Sequence, residues 1–286
     1  MFKSIKFFLK SVIFGSLIAG CGLYGVIASI ALRIVGKKEY AQWTVGRAFY
    51  NSFSTVLGIK ITVKNEERLH GLPAVIISNH QSALDILVLG RVFQPGYTVT
   101  AKKVLKYFPI LGWFMLASGT FFLDRSKGEK ARKVLENALK DLKSEKRGLY
   151  IFPEGTRSAS TTLELLPFKK GAFHLAKQAG IPIIPVVVSN TSTIFNAKSK
   201  TFNCGEIVVE VLEPMPTTGL ETNEDVTKFT NEIRDKMAES YKKLGFSTVR
   251  GEEVAAQVED EVESTDINTD SDVEVHTEVT PLVSKD

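Results

Sequence analysis

Cysteine is nearly missing from this chain. Its 286 residues hold two, Cys21 and Cys204, so neither a disulfide framework nor a cysteine zinc site organises it. Histidine is almost as sparse, with His70, His80, His174 and His276 and no tight partner for His80. An H-x-x-x-x-D pair supplies two ligands where a catalytic zinc takes about three from the protein, so no metal site is expected. A G-x-S-x-G elbow is absent, which removes the usual setting of an enzyme serine nucleophile. No internal repeat is present. Charge is missing from all 22 positions of Ser11–Leu32, and aromatic residues from everything after Gly251.

The charge that is present is unevenly placed. From Gly251 onward there are 12 acidic residues and one lysine. The preceding 250 residues carry 35 basic and 20 acidic side chains, a balance of +15. Such a body favours anionic partners: phosphates, acidic lipid surfaces or nucleic acid. The acidic tail has too little apolar surface to fold and should be disordered. The uncharged run is long enough for about one bilayer crossing. Lysines and arginines flank it on both sides, so the positive-inside rule gives no orientation. Gly15, Gly20, Gly22 and Gly25 leave a re-entrant hairpin open beside a transmembrane helix. A cleaved signal peptide fits less well, because the run is too long and lacks a small-residue cleavage site. The next stretch, YAQWTVGRAFYNSFSTVLGI, suits either an interfacial helix or an amphipathic core helix.

From Ile59 to Gly245 short Val/Ile-rich runs (KITVK, AVIISNH, TFFLDR, GLYIFPEG, IPIIPVVVSN, EIVVEVLEP) alternate with helical patterns. Several runs lack polar alternation, as strands covered on both faces do. The expectation is an α/β fold with a largely parallel or mixed sheet flanked by helices. The expected divisions are a membrane-associated helical segment at 1–45, an α/β domain at 46–245 and the tail at 246–286.

Open parallel sheets place ligand sites at strand C-terminal ends, and three motifs stand there. In NHQSALD, His80 falls in a strand-to-helix turn with Asp85 five residues on. Within one ideal helix the two would point about 140° apart, but with His80 ahead of the first turn Asp85 can fold back to it. The pair can be a general base with its orienting carboxylate. Alternatively, Ser82–Asp85 is a loose capping box. In FPEGTRS, Gly155 permits a close backbone approach and Arg157 can grip a phosphate, unless Glu154 and Arg157 are only a surface ion pair. In GTFFLDR a strand empties into Asp124–Arg125. Lys102, Lys103, Lys169 and Lys170 add positive charge. Asn190-Thr-Ser matches a glycosylation sequon, usable only if its loop faces a lumen.

NHQSALD, GTFFLDR, FPEGTRS and IPIIPVVVS occur in the order of the four blocks of the lysophospholipid and glycerophosphate acyltransferases, and the chain resembles that family from about Trp43 to Gly245. Details such as TVTAKKVLKYFP and LLPFKKGAFHLA are similar to its fungal members. The resemblance implies acyl transfer from acyl-CoA, a substrate rather than a bound cofactor, to the sn-2 hydroxyl of lysophosphatidic acid. It implies His80 as general base and Asp85 as its orienting partner. Gly119, Arg125, Glu154, Gly155, Thr156 and Arg157 would be substrate-binding, Arg125 and Arg157 on the phosphate and Glu154 with Gly155 around the glycerol, while Lys102 and Lys103 would meet phosphate or CoA. It also implies the endoplasmic reticulum membrane or lipid-droplet surface, with no nucleic-acid partner and protein partners unknown. Two other readings stay open: the same chemistry on a lysophospholipid with a head group, and a non-enzymatic protein that binds anionic lipid.

Overall fold

The computed structural model describes residues 2–123, 142–144 and 146–251. Arg125, most of the helical pattern at 127–147 and the tail from 252 lie outside the described residues. The chain opens with α1 (Phe2–Ile34) and α2 (Ala41–Leu57). The 33 residues of α1 run without interruption, about 50 Å of helix, and its most apolar stretch has a mean hydropathy of 1.9. By length and composition it could cross a membrane. Two of its glycines serve contact, since a Cβ at Gly22 would come within 2.9 Å of Ile110 and one at Gly25 within 2.6 Å of the Phe114 ring, while Gly15 and Gly20 have open space beside them in an unbroken helix. One face, with Phe7, Phe14, Leu17, Ile18 and Cys21, packs on the protein body. The opposite face exposes Ile5, Phe8, Leu9, Leu23, Ile27 and Ile30 along almost the whole helix. The aromatic stretch after it resolves as a core helix, since α2 buries Val45, Phe49, Phe53 and Leu57.

The remaining elements follow in order: β1 (Ile59–Lys64), β2 (Ala74–Ser78), α3 (Asp85–Val92), β3 (Tyr97–Lys102), α4 (Leu111–Ala117), β4 (Phe121–Leu123) and β5 (Gly148–Ile151). After them come α5 (Gly171–Ala179), β6 (Ile183–Val188), a hairpin of β7 (Phe195–Asn196) and β8 (Thr201–Phe202), β9 (Gly205–Val211), α6 (Asn223–Leu244) and β10 (Thr248–Val249). Among the described residues the main sheet has the order β1-β9-β6-β2-β5-β3-β4, with β10 also on β9. Pairs β6–β2, β2–β5, β5–β3 and β3–β4 are parallel, whereas β9 is antiparallel to β6. The sheet is therefore mixed.

Two cores explain the runs without polar alternation. Ala74 and Ile76 of β2 face a core that includes α2 and α3, and Val75 and Ile77 face one built on α5 and α6. All five residues of β2 and all six of β6 are buried. On the second face, α6 is started by a capping box in which Thr222 and Asp225 satisfy each other's backbone N–H groups. On the first, α2 crosses α3 where Gly46 meets Gly90, and a Cβ on Gly90 would lie 2.5 Å from the Gly46 oxygen. The expected boundary at 45/46 falls inside α2, and the one at 245/246 precedes β10, which pairs with β9. Residues 1–250 make one compact unit, because the inner face of α1 completes the first core.

Candidate active site

Strand β2 ends at Ser78, and the residues after it are held to β6 by side-chain amides. Asn79 acts as a strand extension: its Nδ2 donates to the Val188 oxygen and its Oδ1 accepts from the Val188 N–H, both at 2.9 Å. Gln81 Nε2 donates to the Val188 and Ser189 oxygens at 3.0 Å, and its Oε1 accepts from the Thr191 N–H at 2.9 Å. Both amides are buried, and His80 is fixed between them. Sequence reasoning missed this pair. The signal was present, as two amides flank a histidine directly after a wholly apolar strand, where a buried amide must find partners.

His80 Nδ1 lies 2.5 Å from Asp85 Oδ2. An ionised carboxylate only accepts, so Nδ1 carries the proton and Nε2 is left with its lone pair. The same Asp85 oxygen accepts from the N–H groups of Gln81 at 2.8 Å and Ser82 at 3.2 Å. Those bonds steady a carboxylate whose side chain is only 7% exposed. The two readings of Asp85 thus coexist in part. Only one half of the capping box forms, since Ser82 Oγ accepts from Leu84 rather than from Asp85, and α3 starts at Asp85 rather than Ser82.

The FPEGTRS loop wraps this turn. Phe152 stacks on the His80 ring at 4.0 Å and 17°. The His80 and Gln81 oxygens accept from the N–H groups of Ser158 at 2.8 Å and Ala159 at 3.1 Å. Glu154 departs from expectation. It is 4% exposed, and its Oε1 accepts from the His80 N–H at 2.8 Å, so it braces the histidine from behind instead of lining a glycerol pocket. Burial raises its carboxyl to about 7, outweighing the lowering effect of the His80 amide. Nor does Glu154 form the surface ion pair with Arg157 that was the alternative, because one side chain is buried and the other exposed. Gly155 adopts φ +72°, in a turn that its N–H closes onto the Phe152 oxygen at 3.1 Å. A Cβ there would meet Lys169 at 2.8 Å, so the close neighbour is a lysine stem and not open space.

Thr156 and Arg157 are exposed at the loop tip. Arg157 borders a cavity of about 320 Å³ that is also lined by Gln81, Ser82, Ser160, Ser192 and Lys198. Lys102 ends β3 and Lys103 follows it, on a strand separated from β2 by β5. Gly119 is not brought into the site. It precedes β4 at the level of Val75, and its oxygen accepts from Thr98 at 3.2 Å, a joint that ends α4. Lys170 turns toward α6, donating to Thr227 at 2.7 Å. Asn190 is wholly buried, and its Nδ2 donates to the Ser160 and Thr162 oxygens. That buried amide pins the loop after Arg157 and is no glycosylation acceptor. A second cavity, of about 150 Å³, is almost purely apolar and lies among α1 to α4, with Ile86, Leu89, Phe93, Val99, Phe114 and Met115 on its wall.

Residues 60–189, the stretch that holds this turn and its supporting loop, match the family model described as Acyltransferase. The chain is 51% identical over 241 residues to the 1-acyl-sn-glycerol-3-phosphate acyltransferase of Saccharomyces cerevisiae, covering 84% of this chain and 79% of that protein. It is 36% identical over 220 residues to the human 1-acyl-sn-glycerol-3-phosphate acyltransferase beta, covering 76% and 77%. The fold is shared with the crystal structure of the 1-acyl-sn-glycerophosphate acyltransferase PlsC from Thermotoga maritima, at a TM-score of 0.65 and 24% identity over 84% of this chain and 95% of that one. The chain belongs to the acyltransferase family, among the 1-acyl-sn-glycerol-3-phosphate acyltransferases.

Proposed function

We propose that the protein transfers a fatty acyl group from acyl-CoA to the sn-2 hydroxyl of 1-acyl-sn-glycerol-3-phosphate, giving phosphatidic acid and CoA. The observation that carries the mechanism is the 2.5 Å contact between His80 Nδ1 and Asp85. With Nδ1–H engaged, Nε2 takes the proton of the acceptor hydroxyl as its oxygen attacks the thioester carbonyl. Asp85 stabilises the imidazolium that forms. The tetrahedral centre then collapses, the C–S bond breaks, and the imidazolium returns its proton to the CoA thiolate. The acceptor supplies the nucleophile, so the protein needs none. Glu154 and the stacked Phe152 hold the ring in place, Arg157 takes a phosphate, and the apolar cavity beside Ile86 houses an acyl chain. Arg125 is proposed for the same phosphate from the resemblance alone.

Membrane association follows from the outward apolar face of α1. The inner face of that helix is packed on the body over much of its length, which supports a helix lying in the plane of one leaflet. The family resemblance supports the endoplasmic reticulum membrane or the lipid-droplet surface as its place. The test is an activity matrix of acyl-CoA chain lengths against lysophosphatidic acid and head-group lysophospholipids, with His80→Ala as the blank. Loss of general-base catalysis should cost about 10²–10⁴-fold in turnover. Near wild-type turnover in a folded His80→Ala protein would sink the mechanism, and preference for a head-group acceptor would move the substrate.

A further inference from the structure

The cavity lined by Gln81 and Ser82, the residues after His80, has a wall that none of the four sequence blocks supplies. Together with Arg157 and Ser160, it is lined by Phe195, Asn196, Ala197 and Lys198. They belong to the β7–β8 hairpin, whose Phe195 and Phe202 are paired and pack edge to face at 5.2 Å. That hairpin is clamped by the first turns of α1. Phe7 stacks on Phe195 at 5.9 Å, Phe14 meets Phe202 edge-on at 6.3 Å, and Lys10 Nζ donates to the Phe202 oxygen at 2.9 Å. At its base, Thr191 is bonded to Gln81, the neighbour of His80. Lys198 and Arg157 are both exposed, and among the described residues neither is paired with a carboxylate. Two such cations with the hydroxyls of Ser82, Ser160 and Ser192 make a surface suited to a phosphate monoester.

We propose that Lys198 joins Arg157 in holding a substrate phosphate, and that the N-terminal end of α1 sets this grip by clamping the hairpin that carries Lys198. The phosphate is that of the acceptor or one of CoA, and naming these substrates rests on the acyl-transfer reading. A membrane-facing helix would then tune substrate affinity through Phe7 and Lys10, separately from its hold on lipid.

The experiment measures kcat and both KM values in detergent-dispersed assays, with liposome flotation alongside. Lys198→Ala should raise one KM about tenfold, the lower end for a charged hydrogen bond, with kcat within about twofold of wild type. Lys198→Arg, which keeps the charge, should restore that KM to within about twofold. Phe7→Ala should raise the same KM about threefold with flotation unchanged, in the range of ordinary coupling between packed elements. A rise for lysophosphatidic acid alone assigns the acceptor phosphate, and a rise for acyl-CoA alone assigns the donor's. Unchanged KM values, or an equal rise for both substrates, overturn the site, and Phe7→Ala without effect on KM overturns the clamp. Calorimetric binding of lysophosphatidic acid and of CoA to the same variants reads the hairpin even if the wild type shows no turnover, so failure of the functional reading would be seen separately.

Discussion

Glu154 is the residue whose substitution says most about how the site is built. It is buried, it accepts from the His80 N–H at 2.8 Å, and burial lifts its carboxyl from 4.5 to about 7. A folded-state value above the unfolded one means that the native chain keeps this proton after the unfolded chain has released it. The resulting stability is fully present below about pH 4.5 and is lost as pH rises through about 7. At 1.36 kcal/mol per unit, the loss between pH 5 and pH 7 is about 2 kcal/mol. Glu154→Gln cannot titrate, yet it keeps an oxygen for the His80 N–H. Urea unfolding of wild type and Glu154→Gln at several pH values should therefore give curves that converge or cross, the wild type losing about 2 kcal/mol relative to the variant over that interval. Turnover of Glu154→Gln near neutral pH should stay within a few-fold of wild type. Glu154→Ala leaves the His80 N–H without its partner, costs about 1–3 kcal/mol and should lower kcat more than it raises either KM. Parallel pH profiles for wild type and Glu154→Gln would refute the buried, titrating carboxyl. A large KM effect with unchanged kcat in Glu154→Ala would return the residue to the substrate.

Asn79→Ala removes both bonds to buried Val188 and should cost about 2–4 kcal/mol in unfolding experiments, with a fall in kcat as the His80 turn slackens; unchanged stability would deny the strand-extension role. Filling the apolar cavity with Leu89→Trp should lower kcat/KM for long-chain donors about tenfold relative to short ones, and an equal loss for every chain length would show that no acyl chain enters there. The pair Ile27→Glu and Ile30→Glu on the outward face of α1 should weaken liposome flotation while sparing turnover on dispersed substrate; equal flotation would put the membrane contact elsewhere.

What could be read from sequence follows the range of the forces involved. Strand positions were legible because β2 and β6 are covered on both faces, so their apolar runs are unbroken. The His80–Asp85 pair was legible because a five-residue spacing across a helix start leaves few geometries. The role of Glu154 was not. In sequence it reads as a charged residue in a Gly-turn loop, and only the parallel pairing of β2 with β5 carries it beneath His80. Gly119 misled for a related reason. It adjoins a motif whose charged residues follow the far end of β4 in sequence, whereas Gly119 precedes the strand. Gly22 and Gly25 of α1 suggested bending because the side chains they make room for, Ile110 and Phe114, come from a segment distant in the chain.

The packing of α1 bears on how a one-tailed acceptor reaches His80. A helix that crossed the bilayer on its own would need lipid around its full circumference. Here the inner face is closed by Phe49 and Phe53 of α2 and by Phe202 of the hairpin, through Phe14 and its neighbours. Carrying that face into hydrocarbon would carry with it α2 and the hairpin, whose turn holds Lys198, Ser199 and Lys200. In the proposed in-plane placement, the helix would instead bury its outer face in one leaflet and keep those polar groups at the interface. The hairpin that α1 clamps also forms a wall of the cavity bordered by Ser82 and Arg157. In that placement, side-chain packing would fix the candidate active site relative to the lipid surface. Under the proposed mechanism and placement, lysophosphatidic acid would raise only its polar end from the leaflet to present a hydroxyl to Nε2.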